Sequence, residues 1–202
     1  MDVGTFWNDK FAQDFYRYGE APNAFLASHH AVIPAGGRVL SLGEGEGRNA
    51  VFLAEQGYAV TAMDASSEGV GKTGRLAVAR GVSVEARLTD LLSEELGAEA
   101  WDGLINIYCH LRSADRRAIY PRIQAALKPG GVFLTEQFSV DQLAYGSGGP
   151  KDPDMLLTIA ELEAAFAGYE LAYAAQELTE LDEGPGHRGP GSVVRLIAIK
   201  PR

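Results

Sequence analysis

The chain has 202 residues, 46% of them hydrophobic, with 27 acidic and 18 basic residues and a formal net charge of −9. This length and composition suit a single globular domain with an ample core. The acidic balance provides no basic stripe for nucleic acid, so DNA and RNA are disfavoured as partners. No apolar run approaches the roughly 20 residues of a membrane span, so no membrane partner is expected.

Cysteine and histidine usage excludes two further classes of protein. The single cysteine, Cys109, rules out an intrachain disulfide and indicates a reducing compartment, the cytoplasm. The four histidines and this cysteine lack the spacing of zinc ligands, so no metal site is expected. The first residues lack the basic start and apolar core of a secretory signal, so we expect none. A monomer and a homodimer are both compatible with the sequence.

The predicted elements begin with two helices and continue as alternating strands and helices. Residues 5–17 place Trp7, Phe11 and Phe15 at helical spacing, and a second helix is predicted for residues 23–30. Strands are predicted at 38–42, 58–63, 82–88, 101–108, 132–138, 169–180 and 192–199, and helices at 48–57, 67–80, 113–127 and 159–167. Pro121 is expected in a first turn or at a kink. The alternation predicts a doubly wound, mostly parallel sheet over residues 35–202, with residues 1–34 as a helical cap, in one domain spanning 1–202.

The segment 39–64 is the most informative in the chain. A short apolar strand leads into Gly43, Gly45 and Gly47, a helix with one apolar face follows, and a second strand ends at Asp64. Glycines let the backbone approach a ligand closely, and a helix start offers free N–H groups. A carboxylate at the tip of the second strand can accept hydrogen bonds from ribose hydroxyls. This unit can therefore hold an adenine nucleoside.

Two ligand classes use this geometry. The dinucleotide fingerprint G-x-G-x-x-G would place its third glycine at position 48, which is an arginine here. The spacing G-x-G-x-G instead resembles motif I of the class I S-adenosylmethionine-dependent methyltransferases. Leu127-Lys128-Pro129-Gly130-Gly131, before an apolar strand, is similar to a second segment of the same class. This resemblance implies a Rossmann-like seven-stranded sheet with an antiparallel last strand, S-adenosyl-L-methionine as cofactor and S-adenosyl-L-homocysteine as product.

Ligands of such sheets bind beyond the carboxyl ends of the parallel strands. The candidate cofactor-binding residues are therefore Gly43, Glu44, Gly45, Asn49, Asp64, Ala65, Asp90, Leu91 and Ile107. The resemblance adds Tyr18, because in the family such an N-terminal segment folds over the cofactor. The resemblance implies that Asp64 accepts from the ribose and Asp90 from the adenine amino group, with Leu91 beside the ring. Asp90 as a helix N-cap, and Tyr18 as a packing residue, remain the alternatives.

The loop also departs from the family pattern. Many relatives carry an acid where this chain has Ser41, so Glu44 or Glu46 is expected to contact the methionine ammonium group. The alternative is that both glutamates are exposed loop charges.

A closer resemblance covers residues 47–60 and 18–26, which are similar to small methyltransferases of the tellurite-resistance group, themselves similar to thiopurine methyltransferases. His187, Arg188 and Arg195 match a His-Arg pair and a later Arg that this group places at the substrate mouth. The resemblance implies His187 as the base and the two arginines as contacts for an anionic acceptor. The Gly/Pro-rich loop around His187 is expected to be mobile.

The predicted function is methyl transfer to a small-molecule acceptor, such as a chalcogen oxyanion or a thiol. A nicotinamide-dependent oxidoreductase and a non-catalytic S-adenosylmethionine-binding module are the alternatives. Participation of Cys109, of His110 and of the 145–153 segment in substrate binding is left open by the sequence.

Overall fold

A seven-stranded sheet forms the centre of the protein. The computed structural model describes residues 2–202, and its strands lie in the order β3-β2-β1-β4-β5-β7-β6. The strands are β1 Arg38–Leu42, β2 Ala59–Asp64, β3 Glu85–Leu88, β4 Trp101–Ile107, β5 Leu127–Phe138, β6 Glu170–Glu183 and β7 His187–Ile199. Strands β1 to β5 pair in parallel, whereas β7 is antiparallel to both β5 and β6. The strand order reverses between β1 and β4, which places a ligand crevice at their carboxyl ends.

Helices lie on both faces of this sheet and bury its two apolar surfaces. They are α1 Val3–Phe11, α2 Ala24–His29, α3 Arg48–Glu55, α4 Ser67–Arg80, α5 Ser113–Ala126 and α6 Ile159–Ala165. One core joins α2 and α3 to the sheet through residues such as Leu26 and Leu53, and the other joins α5 and α6 through Ile119 and Leu162. Burial on both faces explains the near-continuous apolar runs of the central strands.

Most predicted elements are confirmed, several of them to the residue. The strand at 38–42 and the helix at 67–80 have the predicted bounds, because their ends carry strong local signals. The Ser66 hydroxyl accepts the Gly69 N–H at 3.0 Å, and Gly81 adopts a left-handed φ of 70° after the last turn of α4. Pro121 lies inside α5, so the first-turn position is wrong and a kink at Pro121 stays a prediction.

The first helix is shorter than the aromatic spacing predicts. It ends at Phe11, where Trp7 and Phe11 still stack at 5.3 Å, whereas Phe15 lies beyond the helix and is exposed. Tertiary hydrogen bonds fix the following segment. Lys72 Nζ donates to the Phe15 carbonyl at 2.7 Å, and the Arg17 N–H donates to the Glu46 carboxylate at 2.7 Å. These contacts compete successfully with the intrahelical bonds that another turn would make.

The last two strands are longer than predicted and replace the expected Gly/Pro loop. Pairing continues from Leu178 opposite Ser192 to Glu183 opposite His187, so only residues 184–186 form the turn. Pro190 is tolerated in β7 although proline lacks an N–H. Pairing with β5 ends at Phe138 opposite Val193, so no strand of the described sheet lies on that side of Pro190 to receive a hydrogen bond. Within residues 2–202, no helix is long and apolar enough to cross a bilayer.

Candidate functional site

The glycine loop between β1 and α3 folds against the end of β2. Gly43, Gly45 and Gly47 have φ values of 61°, 71° and 100°, in the left-handed region that favours glycine. The Gly45 N–H donates to the Asp64 carboxylate at 2.7 Å. A Cβ on Gly43 would overlap the Cys109 sulfur, so side chains are excluded there. The loop therefore presents bare backbone at the carboxyl ends of β1 and β4.

Both glutamates of this loop bond within the protein. One oxygen of Glu44 accepts the N–H groups of Asn49 at 3.0 Å and Ala50 at 2.9 Å, and the other accepts from the Ser41 hydroxyl. Glu44 thus compensates the start of α3, where N–H groups lack helical partners. Burial raises the pKa of Glu44 against these hydrogen bonds. The predicted contact with the methionine ammonium group would therefore have to be made by a carboxylate that already accepts three hydrogen bonds. Glu46 is buried rather than exposed.

Asp64 lies at the end of β2, where the ribose prediction requires it. Its second oxygen accepts the Ser66 N–H at 2.8 Å, and the side chain is 8% exposed. Burial raises its pKa, while the backbone hydrogen bonds oppose that shift. The Ala65 N–H also bonds to this carboxylate. A carboxylate has about four acceptor sites, so one remains for a ligand hydroxyl. The neighbouring Ala65 carbonyl lies against Gly4 of α1.

The other predicted cofactor residues occupy local or core positions. Asp90 is exposed, and its side chain accepts the Leu92 N–H at 3.0 Å within a turn; this turn rather than a helix follows it, so the helix N-cap alternative is wrong. Leu91 and Ile107 are buried in the two apolar cores. The Asn49 side-chain oxygen accepts the Asn23 N–H at 2.9 Å, so it ties α3 to the start of α2. None of these contacts tests the predicted adenine interaction.

Aromatic rings surround His187 and connect it to the glycine loop. Its imidazole centroid lies 4.5 Å from Tyr18, 4.6 Å from Tyr108 and 5.1 Å from Phe138. Tyr18 also lies 6.4 Å from Phe11, whose ring is 3.3 Å from where a Cβ on Gly45 would stand. A continuous row of packed rings therefore connects His187 to Gly45, and these rings come from the N-terminal segment and from the ends of β4 and β5.

Tyr108 has a backbone conformation that is uncommon for a bulky residue. Its φ is 54°, directly after β4, and its N–H donates to the Glu136 carbonyl at 2.9 Å. Its hydroxyl donates to the Glu136 carboxylate. Such left-handed residues cluster at functional sites, where surrounding contacts offset a cost of about 1–3 kcal/mol.

His187 is buried and bonded to a carboxylate. Its Nδ1 lies 3.3 Å from Glu183, which also receives hydrogen bonds from Arg48 at 3.0 Å and from the Asn23 side chain at 2.9 Å. Burial lowers the pKa of His187, and the bond and charge of Glu183 oppose that shift. Burial thus favours the neutral imidazole, which is the state required of a base.

The structure does not bring the three predicted mouth residues together. Arg195 donates from Nε to Glu136 and from Nη1 to Glu177 at 2.6 Å, so its charge is compensated by two carboxylates. Side chains alternate along a strand, so Arg188 lies on the face of β7 opposite to His187, and it is exposed. Holding an oxyanion, as predicted, would require Arg195 to release the buried Glu136 carboxylate or the partly exposed Glu177 carboxylate.

Comparisons with known proteins agree with this geometry. Residues 39–131 match the family described as a methyltransferase domain. A tRNA 5-carboxymethoxyuridine methyltransferase of Escherichia coli K12 is 32% identical over 98 residues, which are 47% of this chain and 38% of that enzyme. The match thus spans well under half of that relative.

Two solved structures are similar over nearly the whole chain. TehB from Haemophilus influenzae has a TM-score of 0.73 at 20% identity, covering 98% of this chain and 67% of that one. A protein studied for the conversion of a disulfide bond into a thioacetal group during echinomycin biosynthesis has a TM-score of 0.76 at 20% identity, covering 99% and 93%. At these identities the likeness establishes the fold.

Over residues 39–131 the chain therefore matches a methyltransferase domain, and over nearly its whole length it has the fold of TehB. These matches support the predicted class of S-adenosylmethionine-dependent methyltransferases and the predicted cofactor, and the predicted seven-stranded sheet is observed. The candidate site also fits this cofactor, because the glycine loop lies beside the Asp64 carboxylate, which has a free acceptor site. Three buried polar atoms near His187, Arg48 Nη1 and both ring nitrogens of His110, have no hydrogen-bond partner within residues 2–202.

Several residues around the candidate site were not predicted from the sequence. Glu183, Tyr108 and Phe138 contact His187, and of these only Tyr108 directly follows a predicted site residue, Ile107. The 145–153 segment, left open before, also borders the site: a Cβ on Gly148 would lie 2.6 Å from the His187 ring, and one on Gly149 would lie 2.6 Å from Phe138. These contacts form only once the β6–β7 hairpin is in place, so no local sequence pattern predicts them.

Proposed function

We propose that this methyltransferase transfers a methyl group to a small-molecule acceptor, with His187 as the general base. The observation that supports the proposal is the row of packed rings, Phe11 and Tyr18, that connects the buried His187 to Gly45 in the glycine loop. A base aligned with a bound donor contributes both orientation and proton removal.

Different residues would bind the cofactor, remove the proton and exclude water. The glycine loop and Asp64 would hold the cofactor, which when bound supplies a methyl carbon activated on a sulfonium sulfur. His187 would take the proton of the acceptor nucleophile at Nε2. The rings of Tyr18, Tyr108 and Phe138 would exclude water and face the positive sulfonium, an arrangement that aromatic faces stabilise.

We further propose that residues 1–34 act as a cap on one domain that spans the chain. Support comes from α1, where the Asn8 side-chain oxygen accepts from the Ser66 hydroxyl at 2.7 Å, at the start of α4. Phe11 and Tyr18 extend the same contact towards Gly45 and His187. A cytoplasmic location fits Cys109, an unpaired thiol whose pKa burial raises to about 12.

The acceptor class is the open part of the proposal. The formal charge of −9 and the engaged guanidinium of Arg195 favour a small acceptor that does not depend on free cations, such as a thiol. The TehB likeness and the earlier tellurite-group resemblance keep a chalcogen oxyanion as the second candidate. The Escherichia coli relative acts on tRNA, which makes tRNA the necessary counter-test.

One panel assay tests the proposal. Purified protein with labelled S-adenosylmethionine is offered small thiols, selenite, tellurite and tRNA, and S-adenosylhomocysteine is measured with each. We expect turnover with a small molecule, and its loss by tenfold or more in His187→Ala at unchanged cofactor affinity. Turnover with tRNA alone would refute the small-molecule acceptor. Cofactor binding without turnover on any acceptor would favour the non-catalytic alternative.

A further inference from the structure

Glu183 is a buried carboxylate for which the proposed chemistry has no direct use. It is the last residue of β6, and it faces His187 across the three-residue turn of the hairpin. Its Oε2 lies 3.3 Å from His187 Nδ1. The side chain is 11% exposed, so the contact is shielded from water. A buried carboxylate beside an imidazole needs a reason, since burial of a charge is costly unless it is paired.

The charge state of Glu183 determines where the imidazole proton lies. Burial alone would raise its pKa, but the hydrogen bonds and charges of His187 and Arg48 outweigh burial and lower the pKa to about 2. An ionised carboxylate can only accept hydrogen bonds. His187 Nδ1 must therefore carry the hydrogen, and in the neutral ring Nε2 then carries the lone pair.

Two other side chains fix the carboxylate itself. Arg48 Nη2 donates to Oε2 at 3.0 Å, and Asn23 Nδ2 donates to Oε1 at 2.9 Å. Arg48 comes from α3, directly after the glycine loop, and Asn23 caps α2. Hydrogen bonds from α3 and from the cap of α2 therefore fix the Glu183 carboxylate, and the carboxylate in turn orients the His187 ring.

We propose that Glu183 is a positioning residue for His187, which fixes the tautomer with hydrogen on Nδ1 and so presents Nε2 as the proton acceptor. This role rests on the proposed function for its catalytic consequence, but the tautomer is a property of the protein alone. Glu183 acts through His187 and is not itself a contact for the acceptor.

The groups facing His187 determine the expected pH dependence. They are Glu183 on β6, Arg48 on α3, Glu136 on β5, Tyr108 and His110 after β4, and Tyr18 in the N-terminal segment. Glu183 raises the pKa of His187, so removing its charge lowers that pKa. Protonation of the base then begins at lower pH, and the acid limb of the rate profile moves to lower pH. A merely structural role would leave that limb in place.

The first test is the tautomer, read by long-range ¹H–¹⁵N correlation NMR on ¹⁵N-histidine protein, with His187→Ala to assign the signal. We expect hydrogen on Nδ1 in the wild-type protein and a mixture of tautomers in Glu183→Gln. The matched control is Glu180→Gln, the same change at an exposed position of β6. Hydrogen on Nε2 in the wild-type spectrum overturns the proposal, even if the variant fails to fold or no acceptor is found.

The second test is kinetic. With an acceptor from the panel, Glu183→Gln should lower kcat on the order of tenfold, shift the acid limb to lower pH and leave cofactor affinity unchanged. Glu180→Gln should match wild type. An unshifted limb with normal kcat in folded Glu183→Gln overturns the positioning role, whereas full activity of His187→Ala instead overturns the base assigned under the proposed function.

Discussion

Gly148 offers a sharp test of the site, because it touches His187 without belonging to the cofactor loop. An added Cβ would lie 2.6 Å from His187 Cδ2 and 2.7 Å from the Gly186 carbonyl oxygen. Carbon atoms normally approach to about 3.5 Å, so the imidazole would have to withdraw by about 0.9 Å. The φ of 132° adds a cost of about 1–3 kcal/mol for a residue with a side chain.

This displacement converts into an expected kinetic effect. A shift near 1 Å of a reacting group can cost on the order of a hundredfold in rate. We therefore expect Gly148→Ala to lower kcat by about tenfold to a hundredfold, measured as S-adenosylhomocysteine formation at saturating cofactor. Cofactor affinity, measured by calorimetry, should be unchanged, because Gly43–Gly47 and Asp64 are untouched.

Gly146 provides the matched control in the same segment. A Cβ there meets nothing within 4 Å, and its φ is not in the left-handed region. Gly146→Ala should therefore retain wild-type kcat and stability. Equal kcat for the two alanine variants, with Gly148→Ala folded, would refute the placement of His187 at the reacting centre.

Three other variants probe the cofactor and the buried charges. Gly45→Val should abolish S-adenosylmethionine binding in a folded protein, since φ is 71° and the side chain would press on the Phe11 ring, 3.3 Å from the Cβ position, and displace the loop; calorimetric affinity at wild-type level would contradict this. Asp64→Ala should weaken the cofactor by about 1–3 kcal/mol, through lost hydrogen bonds to ribose hydroxyls, and an unchanged Kd would make Asp64 a structural carboxylate. Arg195→Met should lower the free energy of unfolding by about 3 kcal/mol, because Glu136 is 1% exposed and loses its counter-charge. Adding Glu136→Gln to Arg195→Met should recover part of that loss in urea titrations, and a purely additive double variant would contradict the pairing.

The fold was largely predictable because its signals are local and repeated. The apolar strand 38–42 followed by glycines, and Ser66 and Gly81 around α4, set element bounds through capping and turn chemistry. The errors arise where distant contacts override local pattern. Helical spacing continues to Phe15, yet the helix stops at Phe11 because Lys72 binds the Phe15 carbonyl. No feature of residues 5–17 encodes that contact.

The candidate site was predictable only in part, for the same reason. The contact between Gly45 and Asp64 was predictable because the strand–turn–helix–strand unit places the two residues together by sequence alone. Glu44 looked like a ligand contact, but the α3 N-terminus and Ser41 take its carboxylate. Glu183 was missed because its partner His187 meets it through a hairpin longer than the glycines and prolines suggested.

Arg48 shows how one residue can contribute at two levels. In the sequence it occupies the position where a dinucleotide-binding protein needs its third glycine for close helix packing. In the structure that close approach belongs to Gly47, where a Cβ would lie 2.7 Å from the Thr73 Cα. Position 48 is therefore free to carry a long side chain, and its guanidinium reaches Glu183 at 3.0 Å. Arg48, whose presence argues against a nicotinamide cofactor, thus also binds Glu183, the carboxylate that we propose orients His187.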